Sequence, residues 1–188
     1  MTTDSVNLDV AETSDVVSYL ETVTYAHRLW HTSADAPPWQ RPIEALILEI
    51  GQSWYPQALP SGVKRGTPKQ CSRNARLLAS RRTKTLRYCE GFALGPDSPL
   101  PVPHAWTVNA SDGVVDPTWD APERSAYYGV VIPIPVLRTM IEIAGQEGYF
   151  GSEYMANFVT LKLGRIPTVA ELRGAGAARR SLRAILEP

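Results

Sequence analysis

Two cysteines in 188 residues are too few for a disulfide framework, so this chain does not belong with the small secreted scaffolds that bridges hold together. A net field of one sign is also lacking. Lysine plus arginine number 19 and aspartate plus glutamate 19, so the whole molecule is not drawn to nucleic acid or to an anionic membrane. No apolar run approaches the length that crosses a bilayer. The opening MTTDSVNLDVAE has neither the basic n-region nor the apolar h-region of a signal peptide. Repeats and low-complexity stretches are absent. These absences predict a reduced, cytoplasmic protein without a membrane partner. What is present is 44% hydrophobic residues, enough at this length for one sizeable core without metal or disulfide.

The balanced charge is unevenly spread. Nine basic residues and no acid lie between Lys64 and Arg87. Such a run is first a solvated face. Its functional reading is a contact surface for an acidic protein or, less favoured, nucleic acid, because the interleaved aromatics of single-strand binders are missing. The arginine-heavy basic set fits a GC-rich bacterial or phage genome.

Periodicity divides the chain into helices, then strands, then helices. Residues 1–13 read as a flexible tail and 14–188 as one domain. Ser14 or Asp15 caps a helix on which Val16, Leu20, Val23 and Trp30 recur at helical spacing. Pro37 and Pro38 close the connection after it, and IEALILEIGQSWY reads as a second, more buried helix stopped by Pro56. ALPSGVKRGTP is turn chemistry. A third helix opens near Lys69 or Gln70 and runs through CSRNARLLASRR on a stripe of Ala75, Leu78 and Ala79. In LRYCEGFAL the period becomes two, with Tyr88, Glu90 and Phe92 on one face and Cys89, Gly91 and Ala93 on the other. HAWTVN and GVVDPTW follow as strands around an Asn-Ala-Ser-Asp-Gly turn. VLRTMIEIAGQEG is a helix, and the aromatics Tyr149, Phe150, Tyr154 and Phe158 come after it. Thr168 and Glu171 form a capping box for a short helix, and ARRSLRAILEP is a basic helix or tail. The order is that of an α+β fold with an antiparallel sheet.

A sulfur nucleophile must be a thiolate, and helix N-termini and nearby cations are what lower a thiol pKa. Cys71 stands at a predicted helix start inside the basic run, and the free N–H groups there suit an oxyanion as well. His104 and Asp116 fall on successive strands. They share a face only if the hairpin loop is odd, for example Ala110 to Asp112 with Gly113 at positive φ, which sets Trp106 opposite Asp116. The small Cys89, Gly91 and Ala93 face would let the Cys71 helix approach closely.

QCSRNARLLA, RYCEGFA, HAW and DGVVDPTW, in that order, resemble the core of the transglutaminase-like branch of the papain-like superfamily. The resemblance covers about residues 65–130. It implies a nucleophile helix packed on an antiparallel sheet between N- and C-terminal helices. It also implies Cys71 as nucleophile, His104 as base, and Asp116 as the carboxylate that orients the ring. The implied activity is thiol-dependent acyl chemistry, hydrolysis or transfer of an amide, isopeptide or thioester, on a peptide, protein or small acyl substrate, without cofactor. Hydrolysis is the favoured outcome, since so small a chain leaves little room for a second substrate site. By the same resemblance, Gln70, Gln52 and Trp54 are oxyanion-donor candidates.

Each residue has a plainer reading. Cys89, mid-strand among small residues, is core. Glu90, odd on an apolar face, is either solvated at a sheet edge or a contact for a basic substrate. Trp106 and Trp119 are core or cleft walls. His27 and His31 are one helical turn apart but have no third ligand at a diagnostic spacing, so no metal site is expected. The rival function is a binding protein that uses the Lys64 to Arg87 face.

Overall fold

The computed structural model describes residues 8–30, 41–145, 147–150, 159–160 and 162–186. His31, Pro37, Pro38, Tyr154 and Phe158, named above, lie outside them. The architecture is α+β: five α-helices among the described residues and a five-stranded antiparallel sheet. The helices are α1 (Leu8–Trp30), α2 (Ile43–Ile50), α3 (Cys71–Arg81), α4 (Ile134–Ala144) and α5 (Val169–Leu186). The strands are β1 (Gln52–Trp54), β2 (Arg87–Leu94), β3 (Val102–Val108), β4 (Val114–Val115) and β5 (Ala126–Val131), in sheet order β1-β5-β2-β3-β4. The sheet curls until its two ends touch. Tyr55, just past β1, bridges Gly113, just before β4, with the Tyr55 N–H donating to Asp112 O and the Val114 N–H to Tyr55 O. No helix of the described residues is long and apolar enough to cross a membrane.

Curling separates an inner face from an outer one. The inner face packs Trp54, Cys89, Ala93, Trp106, Val108, Val114 and Tyr127 together. Outside, α1 and α2 lay Val16, Leu20 and Ile47 on Phe92, Ala126 and Val130. Ala75 and Ala79 of α3 join Tyr88, Ala105, Leu137, Met140 and Leu172 in the second outer layer. Each fully buried large aliphatic in these layers contributes about 1.5–3 kcal/mol relative to exposure.

Several boundaries differ from the sequence expectation, each for a physical reason. α1 begins at Leu8, ahead of Ser14 and Asp15. The second helix ends at Ile50, not before Pro56, because Gly51 is extended (φ −87, ψ 171) and any Cβ there would overlap Ile47 O. Gln52 and Trp54 are therefore strand residues. β5 was not anticipated; it inserts between β1 and β2, which puts β2 at the centre of the sheet. Glu90 accordingly sits on a central strand and is not at an edge. α3 packs on the Tyr88 and Ala105 side, whereas Cys89, Gly91 and Ala93 look into the curl, so the small residues serve close approach between strands and not the helix. At Gly91 a Cβ would overlap the Tyr128 and Gly129 backbone of β5.

The fourth helix, expected over 136–148, spans Ile134–Ala144, and the one after Thr168, expected to be short, is 18 residues long. α4 carries Pro135 in its first turn and stops at left-handed Gly145 (φ 70). α5 opens on the Thr168 and Glu171 capping box, with the Thr168 N–H donating to Glu171 Oε2 at 2.7 Å and the Glu171 N–H to Thr168 Oγ1 at 3.3 Å. It then runs unbroken to Leu186, which resolves the final basic segment as helix.

Candidate active site

Pro68 and Lys69 form a turn closed by the Gln70 N–H on Thr67 O, so α3 starts at Cys71 with Gln70 as its N-cap residue. No side chain caps this end and its first turn holds no acid, so the partial positive charge of the N-terminus faces the sulfur. Cys71 is half-buried and reduced. Its thiol pairs with His104 and accepts the Ala105 backbone N–H, and Ser72 Oγ lies 4.0 Å from the sulfur. Burial by itself raises the thiol pKa, but the His104 hydrogen bond and charge, with the Ala105 N–H and Ser72, outweigh it and leave the pKa below the ordinary value.

Hairpin parity places the ring. Thr107 pairs with Val115 and Val108 with Val114, while the Asn109 N–H donates to Gly113 O, so the loop is the three residues 110–112. The odd loop puts Trp106 opposite Asp116 and brings His104 onto the same inner face. Its left-handed residue is Asp112 (φ 61) rather than Gly113. Asn109 Oδ1 accepts the N–H groups of Ser111 and Gly113 and holds the turn. β4 is only two residues long, so Asp116 lies just beyond it, at the start of a turn through Pro117.

His104 Nε2 and Asp116 Oδ2 are 2.7 Å apart, both buried, which leaves Nδ1 for the sulfur. Asp116 also accepts Tyr127 Oη–H at 3.0 Å and the Thr118 and Trp119 N–H groups at 2.7 and 3.4 Å. Burial pushes the Asp116 carboxyl up, but the imidazole and these donors win and hold it below the usual range. For His104, burial pushes down; Asp116 and then Cys71 overcome it and raise the ring to about 9. All three shifts run toward the charged forms, with the thiol lowered, the imidazole raised and the carboxyl lowered.

Some of what supports it could not be read from the sequence. Trp119 stacks on the His104 ring, centroids 4.2 Å apart and planes at 22°. Asn74, one turn beyond Cys71, donates from Nδ2 to Thr67 O at 2.7 Å and to Thr118 Oγ1 at 3.1 Å, tying α3 to the Asp116 turn. The Gly66 N–H donates to Pro117 O at 2.7 Å, and Gly66 must be glycine because a Cβ would overlap the Asn74 side chain. Arg65 gives two N–H groups to the carbonyls of Trp119 and Asp120. The signal in the sequence was slight: an Arg-Gly pair just upstream of the cysteine.

The other candidates separate. Gln70 lines the cleft that opens on Cys71; Gln52 and Trp54 do not. The Trp54 indole N–H is committed to Gly129 O at 3.1 Å. Trp106 is fully buried in the inner layer, 6.2 Å from His104 between centroids. Cys89 is buried core, and burial raises its thiol pKa far above the ordinary value. Glu90 is sealed under the helices rather than solvated or open to substrate. It accepts Tyr88 Oη–H and the backbone N–H groups of Tyr149 and Phe150, the last at 2.8 Å. Tyr88 in turn reaches Ser72. Among the described residues no group of three His, Cys, Asp or Glu side chains could hold a metal. Part of the basic run is committed, with Arg76 paired with Glu147, Arg87 with Asp112, and Arg65 clamping carbonyls, while Lys64, Arg65, Arg81 and Arg82 line a cleft of their own.

Comparison with protein-family models, with curated proteins and with solved structures found no match to this chain.

Proposed function

We propose that this chain is a cysteine-dependent acyl enzyme, built like the transglutaminase-like and papain-like enzymes, that hydrolyses or transfers the acyl group of an amide, isopeptide or thioester. The observation that carries the proposal is the buried His104 ring held by Asp116 at 2.7 Å through Nε2 and interacting with the Cys71 thiol as well. The Cys71 thiolate attacks the carbonyl carbon, and the carbonyl π electrons move to oxygen. That oxyanion lies near the α3 N-terminus, where backbone N–H groups and the Gln70 amide are the donors at hand. As the tetrahedral adduct collapses, the bond to the leaving amine or thiol breaks and His104 delivers its proton there. Water or an amine then attacks the thioester, gives its proton to His104, and Cys71 leaves as thiolate. Asp116 keeps the ring oriented and its charge compensated throughout. The rival reading, a basic binding face, has less support, since Arg76 and Arg87 are already ion-paired and Arg65 is bound to carbonyls.

The test is labelling at neutral pH followed by peptide mapping. Iodoacetamide is expected to modify Cys71 and leave buried Cys89 untouched in the native protein, and p-nitrophenyl acetate to leave one acetyl group on Cys71. His104→Ala is expected to slow Cys71 labelling about 100-fold, as the thiolate fraction falls to that of an ordinary thiol. Slow labelling of Cys71 in the wild type, unaffected by His104→Ala, would falsify the proposal.

A further inference from the structure

The cleft that opens on Cys71 has a volume of about 670 Å³, and its uncompensated charge is all of one sign. Glu147 is the one acid in its lining, and Arg76 holds that carboxylate through two bonds, at 2.7 and 2.6 Å, so the two charges cancel. Lys69 and Arg73 also line the cleft and are exposed. Lys69 makes no ion pair among the described residues, and Arg73 gives an N–H only to the neutral Gln70 Oε1, at 3.1 Å. The acid-free first turn of α3 adds its own positive end to the same space.

Lys69 is also held in the left-handed region (φ 62), where glycine or asparagine is less strained than a long side chain. Lys69, two residues before Cys71, thus stands on strained backbone in the lining of the cleft. Charge this close to a reacting centre selects substrates by the field it sets up.

We infer that the acyl substrate carries a carboxylate beside its reacting carbonyl, as an acidic peptide does, and that Lys69 and Arg73 are the residues that select it. The inference rests on the acyl-enzyme reading of the same site and names its substrate class. Alkylation separates the two ideas, because iodoacetate and iodoacetamide attack the same sulfur, lose the same iodide and differ in carrying a carboxylate or a neutral amide.

The quantity to measure is the ratio of their second-order rate constants at Cys71. Lys69→Asn and Arg73→Gln are each expected to lower the iodoacetate to iodoacetamide ratio about three-fold, and together about ten-fold, the size expected for nearby charges in water. Glu147→Gln, which frees Arg76, is expected to raise it by a similar factor. Added salt should shrink all three differences. His104 is intact in every variant, so its own charge cancels from the comparison. Fast labelling by both reagents with an unchanged ratio overturns the substrate class and leaves the acyl-enzyme reading standing. Slow labelling by both in the wild type overturns that reading, and the substrate class with it.

Discussion

Asp116 and Glu90 are both carboxylates shut away from water, one inside the curl of the sheet and one outside it beneath the helices, yet they hold their protons in opposite ways. For each, burial is the largest influence and favours the neutral acid. Glu90 meets it with a tyrosine hydroxyl and two backbone N–H groups, which soften the effect without reversing it, so its pKa is raised. Asp116 has comparable neutral donors plus one thing Glu90 lacks, a cation in direct contact, and its pKa is lowered. Neutral hydrogen bonds do not offset the desolvation of a full charge here, whereas an adjacent imidazolium does. The first environment makes a structural latch, since Glu90 fastens residues 149–150 to the sheet. The second makes a charged centre that can do chemistry.

The largest expected difference between the two sites is in Cys71 reactivity. Asp116→Asn removes the counter-charge of His104 and should slow Cys71 alkylation at least about ten-fold, with a loss of about 3–5 kcal/mol of stability because a buried charge is left unpaired. Glu90→Gln should leave the alkylation rate within a factor of about two, since the hydrogen bonds of Glu90 go to Tyr88, Tyr149 and Phe150 and not to Cys71, His104 or Asp116. Equal losses of alkylation rate in the two variants would erase the distinction drawn here. Glu90→Ala, which strands two buried N–H groups and opens a void, should cost about 2–4 kcal/mol in urea unfolding.

Asn74→Ala is a finer test of what positions Asp116. Loss of its two bonds should lower stability by about 1–2 kcal/mol and slow Cys71 alkylation a few-fold. An unchanged rate would mean that the Asp116 turn holds its place without α3.

The smallest effects are pH slopes, and their signs differ between the carboxylates. Asp116 is lowered, so its stabilisation is present above 3.8, the unfolded value, and is lost as pH falls through its lower folded value. Glu90 is raised, so its contribution declines as pH climbs above 4.5 toward its folded value. Unfolding curves between pH 3 and 6 should therefore show wild type gaining on Asp116→Asn, and losing ground to Glu90→Gln, as pH rises. On the alkaline side the His104 contribution, complete below 6.5, fades as pH passes about 9, and acyl transfer should fall with it as the imidazolium is lost.

The positions of Cys71, His104 and Asp116 were the legible ones. Cys71 was marked by a turn-rich, basic approach to a helix, and His104 and Asp116 by hairpin parity, which depends only on loop length. What sets their chemistry was less visible. The burial of Glu90 depends on which strand becomes central, and that was decided by β5, whose Ala-Tyr-Tyr-Gly-Val-Val run between two prolines carries strand propensity that was passed over. Gln52 and Trp54 were misplaced because the apolar density of Ile43–Ile50 reads on as helix, and it is the extended backbone of Gly51 that ends it. Asn74, Gly66 and Arg65 act across the gap to residues 117–120, a contact that no local period encodes.

In the chain Cys71 comes before both His104 and Asp116 and before the turn to which Asn74 ties its helix. During vectorial synthesis Cys71 therefore emerges well ahead of His104 and Asp116, and it remains an ordinary sulfhydryl until the later hairpin has been made and zipped against Gly66 and Asn74. Unfinished copies in this way keep a thiol of ordinary acidity, and its lowered pKa arrives together with closure of the fold.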